Sequence, residues 1–579
     1  MMIARMRSVR RLALAALVAV PPAAPALLRA QSPAPASASA QVVVDPSLAA
    51  IDSALAATYP AGGPGASVIV ERGGRVLLRK AYGMADVELG VPLQPEHVLR
   101  IGSITKQFTA VAALMLVDEG KLSLDDDVTE FIPDYPTQGR RITVEHLLTH
   151  TSGIRSYTDI PEWRPTLRND LSPTELISVF RGQPVDFAPG QDWRYNNSGY
   201  VLLGAIIEKI SGQSYADFLR TRIFEPLGMR GTRVETQTAV IPGRVRGYAT
   251  TDGRVLQNAM YMSSTHPYAA GAILSTTDDL LRWGHAVAEG RLLKPETWRR
   301  AHTAYALPGG RSSGYGYGWF VSTLAGQPTV EHGGDINGFS SHGMWMPSER
   351  LLVYVLSNAE RDFANPETFS TRIAERVLGR EFITPAIAVA PSALDAYTGV
   401  YRVGDADRRI VTRDGGRLYV QRGRGAKVEL RPVARDQFVS VNTGARFTFV
   451  REGGRVTGVR LRPRIGPEDG VSPRTDERVE DAAAPPAAGS VVVPAAVLDA
   501  YAGRYQLTPE LVLTIRRDGD VLKAQATGQR EITLGAVTQT RFTAQDLNAT
   551  IDFERDAAGA VTRLILNQNG RAGPAPRLP

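Results

Sequence analysis

Cysteine is absent from all 579 residues, which excludes disulfides, thiolate nucleophiles, cysteine-ligated zinc and a lipid-modified cysteine anchor. Long apolar runs are missing too: past the first thirty residues no segment approaches the ~20 consecutive apolar residues that a spanning helix needs. There is no phosphate-cradling P-loop and no Gly-x-Gly-x-x-Gly, so no nucleotide cofactor is implied. No serine stands in Gly-x-Ser-x-Gly, which removes the α/β-hydrolase elbow. His146 and His150 are four apart, but Leu147-Leu148-Thr149 between them carries no glutamate, so they are read as structural and no metal is expected. The surplus of positive charge is also local. Of the formal +7, Arg5, Arg7, Arg10, Arg11 and Arg29 supply +5 with no acid beside them, and the nearly balanced remainder gives a nucleic-acid partner no footing.

What is present reads as an exported, folded, multidomain chain. At 43% hydrophobic and 22% charged residues the composition is globular, and the length implies two to four folding units. Met1 to Arg11 is basic, Leu12 to Val20 apolar, and the next ten residues small and proline-rich. That order is a secretory signal over residues 1–30, cut after Ala30 with Ala26 as the competing site. An uncleaved anchor is the rival reading, against which the apolar run is about half the ~20 residues required. The mature protein is thus expected in the periplasm or outside the cell, with no transmembrane segment. Residues 31–41 are a flexible Ala/Ser/Pro lead-in.

Residues 42–382 mix amphipathic helices with short apolar strands. Ala66–Glu71 and Arg75–Tyr82 around Gly73-Gly74 predict a hairpin, His342–Met346 and Leu351–Ser357 predict two late strands, and a helix is expected near Phe369–Leu378. Strands at both ends with helices between them mean an α+β domain whose sheet is assembled from distant parts of the chain. Linkers follow at 383–393 and 481–496, and after each comes the same unit. Leu394-Asp395-Ala396-Tyr397-Thr398-Gly399-Val400-Tyr401 returns as Leu498-Asp499-Ala500-Tyr501-Ala502-Gly503-Arg504-Tyr505, an offset of 104 that also relates Arg413-Asp414-Gly415 to Arg517-Asp518-Gly519 and Phe438 to Phe542. Residues 394–480 and 497–579 are therefore a duplication, each copy patterned as a small antiparallel β-barrel.

Three motifs carry the chemistry. In Ile101-Gly102-Ser103-Ile104-Thr105-Lys106, apolar residues at helical spacing run on to Gly120 as the C-terminal stop, so Ser103 sits at the first turn with Lys106 on the same face. An amine can then reach the hydroxyl, and the helix N-terminus favours an alkoxide. Lysine is scarce, at seven positions, and only Lys106 has a serine three residues before it. In Tyr195-Asn196-Asn197 a phenol and an amide can face nucleophile and substrate. In Glu331-His332-Gly333-Gly334-Asp335 the glycines permit close approach of a substrate, and the next amide can point at an oxyanion.

The ordered set Ser-x-x-Lys, Tyr-x-Asn, His-x-Gly resembles the serine β-lactamase and penicillin-binding-protein superfamily, in its class C-like branch of esterases, D-aminopeptidases and D-peptidases. His146–Gly153 and Gly271–Leu280 are similar to stretches of that branch, and two lipocalin-like barrels after the catalytic domain resemble its D-aminopeptidase type. The resemblance implies a β-lactamase/transpeptidase-like fold, an antiparallel sheet flanked by helices, followed by the two barrels. It implies Ser103 as acylated nucleophile, Lys106 as its base, Tyr195 as proton carrier, and Asn197, His332, Gly333 and Gly334 as substrate-binding. The backbone amides of Ser103 and Asp335 become the oxyanion hole, each donor supplying about 3–4 kcal/mol. Whether Lys106 or Tyr195 removes the serine proton stays open. The departure is His332, where β-lactamases and carboxypeptidases of the superfamily carry a lysine that attracts a carboxylate. That tilts the expected substrate towards small esters or amides. A D-Ala-D-Ala carboxypeptidase, a β-lactamase, or a catalytically weak cell-wall binding protein is the alternative. The barrels are expected to cap the cleft, so that deleting 394–579 alters substrate preference more than catalytic-domain folding.

Overall fold

Leu351–Ser357 (LLVYVLS) is buried at every position and takes the middle of a seven-stranded antiparallel sheet. Across the sheet the order is Val43–Val44, Arg75–Tyr82, Ala66–Arg72, Leu351–Ser357, Phe339–Met346, Gln327–Ile336 and Phe320–Leu324. Alternate residues of a strand point to opposite faces, so the central strand feeds two cores. Leu352, Tyr354 and Leu356 pack with Ile69, Ile104 and Phe108, whereas Leu351, Val353 and Val355 pack with Val68, Met344, Phe369 and Ile373. This computed structural model describes residues 41–578 apart from 252–254, 325, 380–386, 404–406, 423–426, 442–443, 465–469, 480–492, 509–510, 528–530, 545–548, 557–558 and 569–570. The expected signal segment lies outside the described residues. Among the described residues no helix is long and apolar enough to cross a membrane.

The helix that the Ser-x-x-Lys motif opens spans Thr105–Asp118, with every residue from Thr105 to Leu116 buried. A helix enclosed on all sides carries no polar stripe, and Lys106 is drawn inside with it. The chain leaves this helix through Gly120, whose φ of 71° supplies the left-handed stop expected there. Ser103 lies one step earlier than expected, in a separate 3₁₀ turn, Gly102–Ile104, that leads into the helix. Three strands that patterning did not mark, Val43–Val44, Phe320–Leu324 and Gln327–Ile336, complete the sheet. The helix expected at Phe369 begins at Pro366, because the Asn365 side chain accepts from Glu367 N and proline suits a first helical position.

Two nearly closed antiparallel barrels of eight strands follow, from Gly399–Val403 to Val471–Pro473 and from Gly503–Thr508 to Arg571–Pro576. Single bridges, Tyr401 to Arg474 and Tyr505 to Arg577, join the first edge of each to its last. The duplication extends to side chains. Tyr401 Oη donates to Tyr397 O at 2.6 Å and Tyr505 Oη to Tyr501 O at 2.8 Å. Arg474 and Arg577 lie so close over Gly399 and Gly503 that a Cβ on either glycine would stand 2.8 Å from the guanidinium Nε. Most of the second expected linker falls outside the described residues; helix begins again at Ala495, and before the first barrel at Pro391.

Leu356 is fully buried on the central strand, while Leu89 is 77% exposed. Leu356→Ala is expected to cost about 2–5 kcal/mol and Leu89→Ala less than about 0.5 kcal/mol. Urea unfolding of both variants checks this, and equal midpoints would contradict the layering.

Candidate functional site

Gly334 and Gly102 decide how closely the strand Gln327–Ile336 approaches the turn that holds Ser103. A Cβ at Gly334 would stand 2.0 Å from Ile101 O, and one at Gly102, where φ is 50°, would stand 3.0 Å from Asp335 N. Larger residues are shut out by backbone atoms that have nowhere to go. Ser341 Oγ, from the next strand, donates to Ile101 O at 2.9 Å and ties turn and strand together. The main chain of Asp335 is thereby laid beside Ser103.

Lys106 has no solvent exposure. Its Nζ lies 3.1 Å from Ser103 Oγ, 2.8 Å from Asn197 Oδ1 and 2.9 Å from Ala270 O. Burial pushes the amine well below its ordinary value. Asn197 is the first residue of the helix Asn197–Ser211, which Asn196 caps by accepting from Gly199 N at 2.8 Å. The Asn197 amide nitrogen donates to Thr158 Oγ1 at 3.1 Å, which turns its oxygen towards Lys106. Tyr195 precedes the cap, with its ring centre 4.8 Å from Lys106 Nζ. Its hydroxyl is buried and makes no hydrogen bond among the described residues. Burial pushes the phenol up, Asp335 adds to that, and Ser103, the hydroxyl it faces, works the other way without forming a full hydrogen bond.

His332 is 2% exposed. Its Nδ1 is 2.6 Å from Gly333 O and its Nε2 is 2.9 Å from Tyr315 Oη. A carbonyl oxygen only accepts, so Nδ1 carries the proton and Nε2 accepts from the Tyr315 hydroxyl. Burial first, then Lys106, hold the imidazole down at about 3, so the ring is neutral and both nitrogens are taken within the protein. His150, whose φ is 61°, sets its ring centre 4.5 Å from those of both Tyr195 and Tyr315, tilted against each. His146 belongs to a helix cap with Thr143. The structure thus gathers Ser103, Lys106, Tyr195, Asn197 and the run His332–Asp335 in one place. Sequence reasoning missed the Ala270 carbonyl, Thr158, Tyr315 and the packing of His150 on Tyr195. Among the described residues no group of three or more histidine or acidic side chains could hold a metal. An amine that burial pushes down and a phenol that burial pushes up, both facing Ser103, can take up and hand on a proton.

The profile of the family described as Beta-lactamase matches residues 53–375, and that of a domain of unknown function (DUF3471) matches twice, over 384–478 and 488–574. The chain is similar to penicillin-binding protein 4* of Bacillus subtilis (strain 168), 29% identical over 398 residues, 64% of this chain and 87% of that one. It is similar also to a D-aminopeptidase of Gluconobacter oxydans (strain 621H), 30% identical over 352 residues, 60% of this chain and 65% of that one, just under two thirds of that relative's length. Among solved structures it resembles the octameric penicillin-binding protein homologue from Pyrococcus abyssi, with 27% identity and a TM-score of 0.54 over 72% of this chain and 99% of that chain.

His332 offers a direct check on the site's electrostatics. The unfolded chain protonates this ring near ~6.5 and the folded one at about 3. Its burial therefore contributes stability that is whole above pH ~6.5 and lost as pH falls towards 3. Nitrogen NMR of the ring is expected to show one neutral tautomer, protonated at Nδ1, from pH 5 to 8; titration near ~6.5 would show a solvated ring instead.

Proposed function

The chain belongs to the Beta-lactamase family, and from that premise we propose that it is a serine hydrolase forming an acyl intermediate on Ser103, acting on esters or small amides in the manner of an esterase or D-aminopeptidase. The observation that carries this reading is the hydrogen-bond arithmetic at Lys106. A neutral amine has two hydrogens and one lone pair. Asn197 Oδ1 and Ala270 O can only accept, and they take the two hydrogens at 2.8 and 2.9 Å. The lone pair is left facing Ser103 Oγ at 3.1 Å. Lys106 is then the base and Tyr195, kept protonated by burial, the acid.

In this mechanism Ser103 Oγ attacks the carbonyl carbon while its proton passes to Lys106. The carbonyl oxygen becomes an oxyanion, which the amides of Ser103 and Asp335 stabilise. Tyr195 gives its proton to the leaving oxygen or nitrogen and regains one from Lys106. Water then repeats the sequence in reverse and frees Ser103. His332, neutral and fully bonded, forms a wall of the site and brings no fixed charge, which supports neutral acyl groups over carboxylate-bearing ones. Arg361 supports the second reading, a carboxypeptidase or β-lactamase: its Nη2 would stand 3.3 Å from a Cβ at Gly333. That guanidinium is already held by Asp335 at 2.9 Å, so it ranks second. Export to the periplasm or beyond belongs to the same proposal, on the strength of the basic and apolar residues before Ala30.

Ser103→Ala is expected to abolish both fluorophosphonate labelling and p-nitrophenyl ester turnover, and equal labelling of the variant would end this reading. Lys106→Arg, a cation at every accessible pH, is expected to acylate about 10²–10⁴-fold more slowly. In the unmodified chain the acylation rate is expected to rise with pH through a value well below 10.5 as Lys106 deprotonates, and to level off before Tyr195 ionises. A panel of esters, D-aminoacyl amides, D-Ala-D-Ala peptides and nitrocefin then ranks the substrates.

A further inference from the structure

Residues 331, 333 and 335 point to one face of the strand Gln327–Ile336, and 332 and 334 to the other. The even face meets the site, with His332 on Tyr315 and Gly334 on Ile101. The odd face carries an unbroken chain of alternating charge. Asp335 pairs with Arg361 at 2.9 Å, Arg361 with Glu367 at 3.5 Å, Glu367 with Arg464 at 3.0 Å, and Arg464 returns to the strand, giving both its Nη atoms to Glu331 at 2.9 Å each. Gly333, between the two ends, has no side chain to obstruct Arg361. Every link but one comes from the catalytic domain. Arg464 belongs to the first barrel, two residues beyond the strand Arg455–Arg462, and its main-chain oxygen accepts from Ser322 Oγ at 2.6 Å, which seats the barrel on the edge strand of the sheet.

We infer that Arg464 is a positioning residue through which the first barrel clamps the strand bearing His332–Asp335, so that the barrel is part of the catalytic apparatus; the catalytic half of this inference rests on Ser103 being the nucleophile. Glu331 is 0% and the Arg464 side chain 5% exposed. Thr329 Oγ1 donates to Glu331 Oε1 at 2.8 Å and His342 Nε2 stands 3.4 Å from Oε2, but Arg464 is the bidentate cation. Burial alone drives the Glu331 carboxyl up; Arg464, ahead of His342, overrides it and holds it at about 2. A chain cut before residue 394 would take away the guanidinium that holds Glu331, one residue from His332. Loss of turnover, more than changed substrate preference, is what such a cut would bring.

The test uses the full-length chain. Arg464→Ala is expected to lower kcat on a p-nitrophenyl ester about tenfold to about a hundredfold with KM within about twofold, and to speed amide exchange at His332–Asp335. Should that variant not fold, Glu331→Gln with Arg464→Met carries the same expectations, since it removes both charges and strands neither. Wild-type exchange across the strand overturns the inference, and so does faster exchange with kcat unchanged, which reduces Arg464 to a structural tie. Exchange does not depend on Ser103. Faster exchange in a chain that never labels at Ser103 therefore upholds the clamp and defeats the reading of function instead.

Discussion

The Lys106 amine sits where no water reaches, at the start of a helix buried on every side, and much of the site follows from that placement. Burial there works against the ammonium and pushes the amine well below its ordinary value, and Asn197 Oδ1, Ala270 O and Ser103 Oγ are the three polar atoms that meet it. Asn197 is held to its task by the cap at Asn196, and Ala270 by the short helix Tyr268–Gly271. The same desolvation acts on Tyr195 with the opposite sign. Burial lowers an amine and raises a phenol, so one cause disfavours charge on both of the groups that face Ser103.

The strand Gln327–Ile336 serves two environments because side chains alternate. Its even face needs small or neutral groups, since anything larger than Gly334 would strike Ile101 O, and burial, then Lys106, both disfavour a charge on His332. Its odd face needs charge to be matched link by link, because Glu331 is wholly enclosed. Two glycines in succession, which weaken a strand by themselves, are tolerated because each lies against a group that requires the space: Arg361 over Gly333, Ile101 under Gly334.

Local patterns and short spacings were legible in the sequence. Ser103 and Lys106 are three apart, the hairpin and central strand alternate or run apolar, and a duplication announces itself by a constant offset. The strand Gln327–Ile336 was hidden because Pro328, Glu331, Gly333 and Gly334 all argue against a strand when the sheet that encloses them is not known. The Ala270 carbonyl was invisible for a different reason: every residue has one, and only the fold selects which of them meets Lys106. Arg464 and Glu331 are 133 residues apart and in different folding units, so no local pattern joins them.

The duplication allows the barrel's own needs to be separated from those of docking. Tyr401 and Tyr505, Arg474 and Arg577, Arg413 and Arg517 make the same contacts in both copies, so they serve the barrel itself. Phe449 faces Val459 in the first copy and Phe553 faces Leu564 in the second, so the aromatic core of the two barrels is set by the same register. Arg464 instead answers Glu331, a carboxylate fully buried in the whole chain, to which it is the bidentate cation. The Arg464–Glu331 pair joins the first barrel to the strand Gln327–Ile336, and it closes one end of the run of alternating charge whose other end is Asp335.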